Sequence, residues 1–357
     1  MQGPGLLILL LGAIAFIVVM TARVRLHPFI VLLLASLGVG LIAGLPAQQV
    51  VSAITGGFGS TLSGIGIVIA AGTIIGFVME KSGAAMVMAN TILKLVGETR
   101  SALAMAFTGG VVSIPVFCDS GFVILSPLNR TLAARSKQSL SVFAIALSMG
   151  LYSTHVFVPP TPGPIAAAGT IGADLGTVIL LGLVVSIPTI LAGYFFAKSY
   201  GSKIHIDPSP KEEEANNQQD LREYPSVLRS FAPIVVPVLL IALKSIADYP
   251  SAPFGTGSFK AFMSFIGNPN IALLIGVFLS FLTVPKITKE VLGDWVNIGL
   301  TNAGVIILIT GVGGSLGQVI RETPIAAYLS DSLSTLQFGI FVPFILAAAL
   351  KTAQGSS

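Results

Sequence analysis

Long apolar runs separated by short polar breaks recur along this chain. The first, residues 6–20, follows Met-Gln-Gly-Pro-Gly, which carries no positive charge, and precedes Arg23 and Arg25. A cleaved signal peptide has the opposite charge order. The run therefore predicts a spanning helix with its amino end outside, because cytoplasmic loops collect Lys and Arg. A second run, 28–45, returns outward, and an uncharged Gly-rich connection, 55–66, leads to a third helix that ends inside at Glu80 and Lys81. Further spans are expected over 177–197, 231–246, 271–284 and about 300–320. The segment 200–229, with Lys-Glu-Glu-Glu and Asn-Asn-Gln-Gln-Asp, reads as a flexible cytoplasmic linker. A stretch rich in Pro, Gly and Ser after Ile246 reads as an outer loop.

Two apolar stretches break the pattern. Residues 102–128 are interrupted by Pro115, Asp119 and Gly121, and both flanks are basic: Lys94 and Arg100 before, Arg130, Arg135 and Lys137 after. A single kinked helix is one reading. Basic residues on both flanks favour a re-entrant hairpin that dips into the membrane and returns, with its non-helical tip buried in protein or lining a cavity. Residues 140–174 contain Pro159, Pro160, Pro162 and Pro164, which no continuous helix absorbs. They predict a broken helix.

A single shift aligns Gly72 and Gly76 with Gly313 and Gly317, Val78 with Val319 and Ala85 with Ala326. Both segments are GxxxG-type helices that end in a charged pair, Glu80-Lys81 and Arg321-Glu322. If 102–128 is re-entrant, the two copies run in opposite directions, the inverted-repeat plan of many secondary transporters. Every Lys and Arg except Lys244, Lys260, Arg321 and Lys351 then lies inside. The fold class expected is an all-α polytopic membrane protein, an inverted-repeat carrier with re-entrant helical hairpins and a broken helix. Its parts are scaffold helices (1–58), a first repeat (59–198), a linker (199–230), connecting helices (231–298) and a second repeat (299–357). Thr323 and Pro324 can open a surface helix that matches 84–96 in the first repeat. The second repeat stops inside its own hairpin, so the expectation is a chain truncated at its C-terminus that would not transport by itself.

Composition strengthens the membrane reading. Of 357 residues, 54% are hydrophobic and 10% charged, against roughly 25% charged in ordinary soluble domains. The mean hydropathy is +0.91. A nucleic-acid partner is excluded, and the net charge of +4 speaks to membrane orientation. One cysteine, Cys118, allows no disulfide within the chain and reads as filler.

Asp119 is the one acid deep in an apolar segment of the first half, where an ionised carboxylate costs at least a few kcal/mol. It is a candidate for substrate binding and proton coupling, with Ser120 and Gly121 beside it. Ser120 or Asp119 could instead cap the returning helix. Thr154, Thr161 and Gly163 surround the proline break, where amides from Gly163 to Ala166 could face an anion. His155 could carry a proton, having an ordinary pKa near 6.5, or sit neutral against an unwound carbonyl. In the repeat frame, Gln354, Gly355, Ser356 and Ser357 fall at the second hairpin tip, and Lys351 could attract a carboxylate or snorkel. There is no Walker A sequence, no His-Glu-x-x-His and no recognisable nucleophile triad, so no cofactor, metal or enzyme activity is expected.

Three segments, Ile114-Pro-Val-Phe-Cys-Asp-Ser-Gly-Phe-Val, His155-Val-Phe-Val-Pro-Pro-Thr-Pro-Gly-Pro-Ile-Ala-Ala-Ala and Ala353-Gln-Gly-Ser-Ser, resemble the gluconate permease (GntP) family of the ion transporter superfamily. The resemblance implies proton-coupled uptake of small hydroxylated carboxylates such as gluconate and related sugar acids, or of D-serine. It also implies two hairpins and a broken helix around a central site. The family often has histidine in Pro-Pro-His-Pro-Gly-Pro where this chain has Thr161, a departure that bears on gluconate itself and on any proton route there. The function expected is proton symport of a small organic anion in the inner (plasma) membrane, with lipid as surroundings and room for a homodimer. A sodium-coupled carboxylate carrier or an ion antiporter of the same architecture is the alternative, and a membrane-embedded enzyme ranks well behind both.

Overall fold

In the computed structural model, the structure describes residues 4–97, 100–208, 224–248 and 254–328, with 341, 344 and 347. No strand occurs among the described residues. The helices are α1 (Pro4–Ala22), α2 (Pro28–Ala43), α3 (Ala47–Lys81), α4 (Ala84–Val96), α5 (Ser101–Val112), α6 (Cys118–Ser136) and α7 (Leu140–Phe157). They continue as α8 (Pro162–Ile171), α9 (Leu175–Tyr200), α10 (Val227–Ala247), α11 (Ser258–Ile266), α12 (Pro269–Phe281) and α13 (Val296–Glu322). Among the described residues, 6 helices are long and apolar enough to cross a membrane, and the α11–α12 pair, bent by 61°, could make one more. The protein is an all-α polytopic membrane protein.

Two compact units emerge, residues 1–66 with 305–357, and residues 67–304. In the first, α1 buries only Leu6, as expected of a helix that is apolar all round and faces lipid. Leu6, Val39, Ala53, Val319 and Ile325 form its core. The expected Gly-rich connection at 55–66 is instead continuous helix within α3. Glycine costs up to about 1 kcal/mol in a helix interior, and here close packing offsets it. A Cβ on Gly57 would lie 2.7 Å from the Gly314 carbonyl oxygen, and Ser315 Oγ donates to the Ile54 carbonyl at 2.8 Å. Glycine thus lets α3 and α13 touch backbone to backbone, where lipid supplies no hydrophobic drive and small residues pack helices instead. After Thr323 the chain is helical again from Pro324 to Tyr328.

The second unit is centred on α5, α7 and α9. Gly150 of α7 presses on the Ala106 carbonyl, and a Cβ on Gly109 of α5 would lie 2.7 Å from the Leu147 carbonyl oxygen. The stretch 102–128 is two helices, α5 and α6, joined by a turn at 113–117. Val112 to Val116 are buried, and the turn satisfies itself: Val116 N–H donates to the Val112 carbonyl at 3.2 Å, and Ser113 Oγ to the Val116 carbonyl at 3.2 Å. The proline stretch breaks as expected, with α7 ending at Phe157 and α8 starting at Pro162. Two expectations at the edges need correction. The linker ends early, because α10 starts at Val227, and the stretch expected as an outer loop contains α11, whose phenylalanines give it an apolar face.

Candidate functional site

Three pieces of the second unit meet around the two breaks. The turn between α5 and α6, the break between α7 and α8, and the last turns of α3 bound a recess lined by Thr73, Ile114, Pro115, Phe117, Pro160 and Thr161. It is narrow, with about 10 Å³ open to a water-sized sphere, no more than one water needs. Gly72 and Gly76 of α3 seat both breaks. A Cβ on Gly72 would lie 3.0 Å from the Pro160 carbonyl oxygen, and one on Gly76 would collide with the Pro115 carbonyl. One helical turn separates the two glycines, so a single face of α3 holds the tip and the break side by side. Phe117 and His155 stack edge to face with ring centroids 6.0 Å apart, a second tie between them. Thr154 Oγ1 donates to the Gly110 carbonyl at 2.6 Å, a third.

A wholly apolar space shares Pro115 and Pro160 with this recess and is closed by Ile75, Ile179, Pro233 and Pro237. Pro237 has no N–H for the Pro233 carbonyl four residues before it. Gly276 of α12 packs there, its hypothetical Cβ 3.0 Å from that oxygen.

Asp119 is the second residue of α6 and is exposed. The alternative reading, that Asp119 or Ser120 caps this helix, does not hold, because the N-cap is Phe117 and no side chain bonds the helix start. Asp119 therefore lies within the first turn, where the helix dipole favours a negative charge, and its Oδ1 lies 3.8 Å from Cys118 Sγ. Ser120 is half-buried next to it, while Gly121 is buried, with a Cβ there only 2.7 Å from the Leu151 side chain of α7. At the break, Thr161 is the N-cap of α8 and its hydroxyl turns back to the Val158 carbonyl at 2.7 Å. The expected run of free amides from Gly163 to Ala166 is shorter in the structure. Pro162 and Pro164 have no N–H, and the amides from Ile165 onward are within reach of intrahelical carbonyls, which leaves Gly163 as the donor of the first turn. Gly163 is exposed, and nothing lies within 4 Å of a Cβ placed on it.

The structure thus joins the hairpin turn to the proline break, and assigns Thr154 and Gly121 contacts within the fold. Gln354, Gly355, Ser356, Ser357 and Lys351 lie outside the described residues. Sequence reasoning passed over Thr73, Phe117 and the seat itself. The signal was present in Gly72-x-x-x-Gly76, which reads as ordinary helix packing until its partners are known.

The chain resembles known permeases over nearly its whole length. A model described as GntP family permease matches residues 5–357. A protein of Haemophilus influenzae named an uncharacterized permease is 37% identical over 97% of this chain and 74% of its own length. A gluconate permease of Pseudomonas aeruginosa is 33% identical over 98% of this chain and 79% of its own length. The D-serine transporter DsdX of Escherichia coli is 31% identical, covering 98% of this chain and 79% of its own. The matched range includes every described span and both breaks, so the chain belongs to the GntP family of permeases.

Proposed function

We propose that the protein imports small hydroxylated carboxylates or hydroxy amino acids by proton symport, across an inner (plasma) membrane in which its amino end lies outside. The observation that carries this reading is the pairing of two helix starts, α6 with Asp119 and α8 with the Gly163 N–H, whose breaks share one seat on α3. An opening helix turn favours an anion. A carboxylate would bind the Gly163 amide and the first turn of α6 near Ser120. Hydroxyls of the substrate would donate to Asp119 and to the lone pairs that Thr73 and Thr161 keep while bonding their own backbone carbonyls.

Coupling follows from charge. For an anionic substrate such as gluconate, bringing one negative charge into a cell that is negative inside costs about 2.3 kcal/mol per 100 mV, and one proton carried along cancels that cost. Asp119 and His155 are the residues proposed to carry it. Relatives named for gluconate and for D-serine support the substrate class, since both compounds join a carboxylate to hydroxyls. The test is counterflow in proteoliposomes, run on this chain and on a version extended to the relatives' full length. Saturable exchange of gluconate or D-serine, stimulated by an inward proton gradient, is expected of the extended version. Uptake driven by sodium at zero pH gradient would overturn the proton assignment, and no saturable exchange of any hydroxy acid in either version would overturn the reading itself.

A further inference from the structure

A cavity of about 380 Å³ opens in the second unit, at the starts of α5 and α7, whose other ends carry the two breaks. Its wall includes Arg100 and Ser101 at the start of α5, Gln138 just after α6, and Tyr194 and Lys198 near the end of α9. Among the described residues, no carboxylate lines it. Its floor is the first turn of α5, a twelve-residue helix with no side-chain cap, so the positive end of a helix dipole adds to the two cations. Ser101 is 3% exposed and its buried Oγ has no hydrogen-bond partner among the described residues. The rim is fixed. Ser141 Oγ donates to the Gly201 carbonyl at 2.7 Å, and Ser139 Oγ to the Ile204 carbonyl at 2.7 Å, tying the end of α9 to the start of α7.

The surroundings say what such a cavity meets. At this end of α9, Phe195, Phe196 and Tyr200 are exposed, Phe196 stacks on Tyr200 with centroids 5.4 Å apart, and Lys203 lies over the Tyr200 ring at 5.8 Å. Exposed aromatics followed by lysines at the end of an apolar spanning helix mark the membrane–water interface. A cavity between helices that carries two cations at that depth faces phosphate headgroups.

We infer that this cavity binds the phosphate of an anionic phospholipid headgroup, with Arg100 and Lys198 as its cations and Gln138 and Tyr194 as neutral donors. Free inorganic phosphate offers the same chemistry, and the test separates the two. The chain purified in detergent is titrated with dioleoylphosphatidylglycerol or dioleoylphosphatidylcholine, and bound lipid is counted by native mass spectrometry. Phosphatidylglycerol is expected to bind the more tightly, and each neutralised cation to weaken it about fivefold. Arg100→Gln with Lys198→Gln should reduce phosphatidylglycerol to the phosphatidylcholine level, while Lys203→Gln, at the same interface but outside the cavity, should leave the preference intact. Lys198→Gln alone, on an exposed residue, provides the same comparison if the double variant does not fold. Equal binding of the two lipids, an unchanged preference in Lys198→Gln, or displacement of phosphatidylglycerol by millimolar inorganic phosphate would overturn the lipid assignment.

Discussion

Gly76 shows how much a single hydrogen can carry in this protein. Its side chain is the space that the Pro115 carbonyl occupies, so a methyl group must displace the hairpin turn or the helix. Gly76→Ala is expected to lower the melting temperature in detergent and to weaken substrate binding. Gly64→Ala, on the same helix with nothing within 4 Å of its Cβ, should be neutral or gain up to about 1 kcal/mol from better helix propensity. Equal effects of the two changes would remove the seat from the account. Asp119 gives the opposite contrast. It is exposed and among the described residues its side chain bonds to Cys118, so Asp119→Asn should cost no more than about 1 kcal/mol, the worth of a charge at a helix start, while abolishing coupled transport. Side-by-side thermal melts and flux assays check this, and a variant that transports normally would contradict it.

Helix ends in the second unit are fastened individually, and one of them titrates. Asp174 caps α9, its Oδ1 accepting from the Thr177 N–H, the Thr177 hydroxyl and the Ser245 hydroxyl of α10, each at 2.8 Å. Burial pushes its carboxyl up, but those hydrogen bonds, helped by Lys244, outweigh burial and hold it below the usual carboxylate range. A carboxyl whose pKa is lower when folded stabilises the fold above its unfolded value of about 3.9, and that contribution disappears as the pH falls through the lowered folded value. Melts from pH 7 down to pH 3 should therefore show a smaller loss in Asp174→Asn than in the wild type, the variant being destabilised by up to about 1 kcal/mol at neutral pH, because Asn caps a helix about as well as Asp and only the charge is lost. Parallel curves would show that this cap does not titrate as described. Most of the elements were legible in the sequence because long apolar runs, bounding charges and prolines act locally. The turn at 113–117 followed from Pro115 and flanking charge, and the break at 158–161 from four prolines. The connection at 55–66 was misread for a physical reason: glycine weakens a lone helix yet permits close packing, and the partner of Gly57 is 257 positions away at Gly314. Likewise, the bond from Thr154 to the Gly110 carbonyl was not legible, because its partner lies 44 positions away on another helix.

At the scale of the whole chain, the proportion of charged residues and the run of spans establish a membrane protein, and the match over residues 5–357 makes it a permease. What remains proposed is the coupling of substrate to proton at the paired helix starts. Linkage makes that coupling measurable in binding alone: if a proton must occupy the site with the substrate, each raises the other's affinity by the same factor. The decisive measurement is the dissociation constant of gluconate or D-serine for the purified protein across pH 5 to 9, with and without sodium, in wild type and Asp119→Asn. Obligate proton coupling predicts a dissociation constant that rises about tenfold per pH unit above the coupling group's pKa, is indifferent to sodium, and loses its slope in the variant. A pH-independent constant lowered by sodium, or a slope that survives in Asp119→Asn, would contradict it.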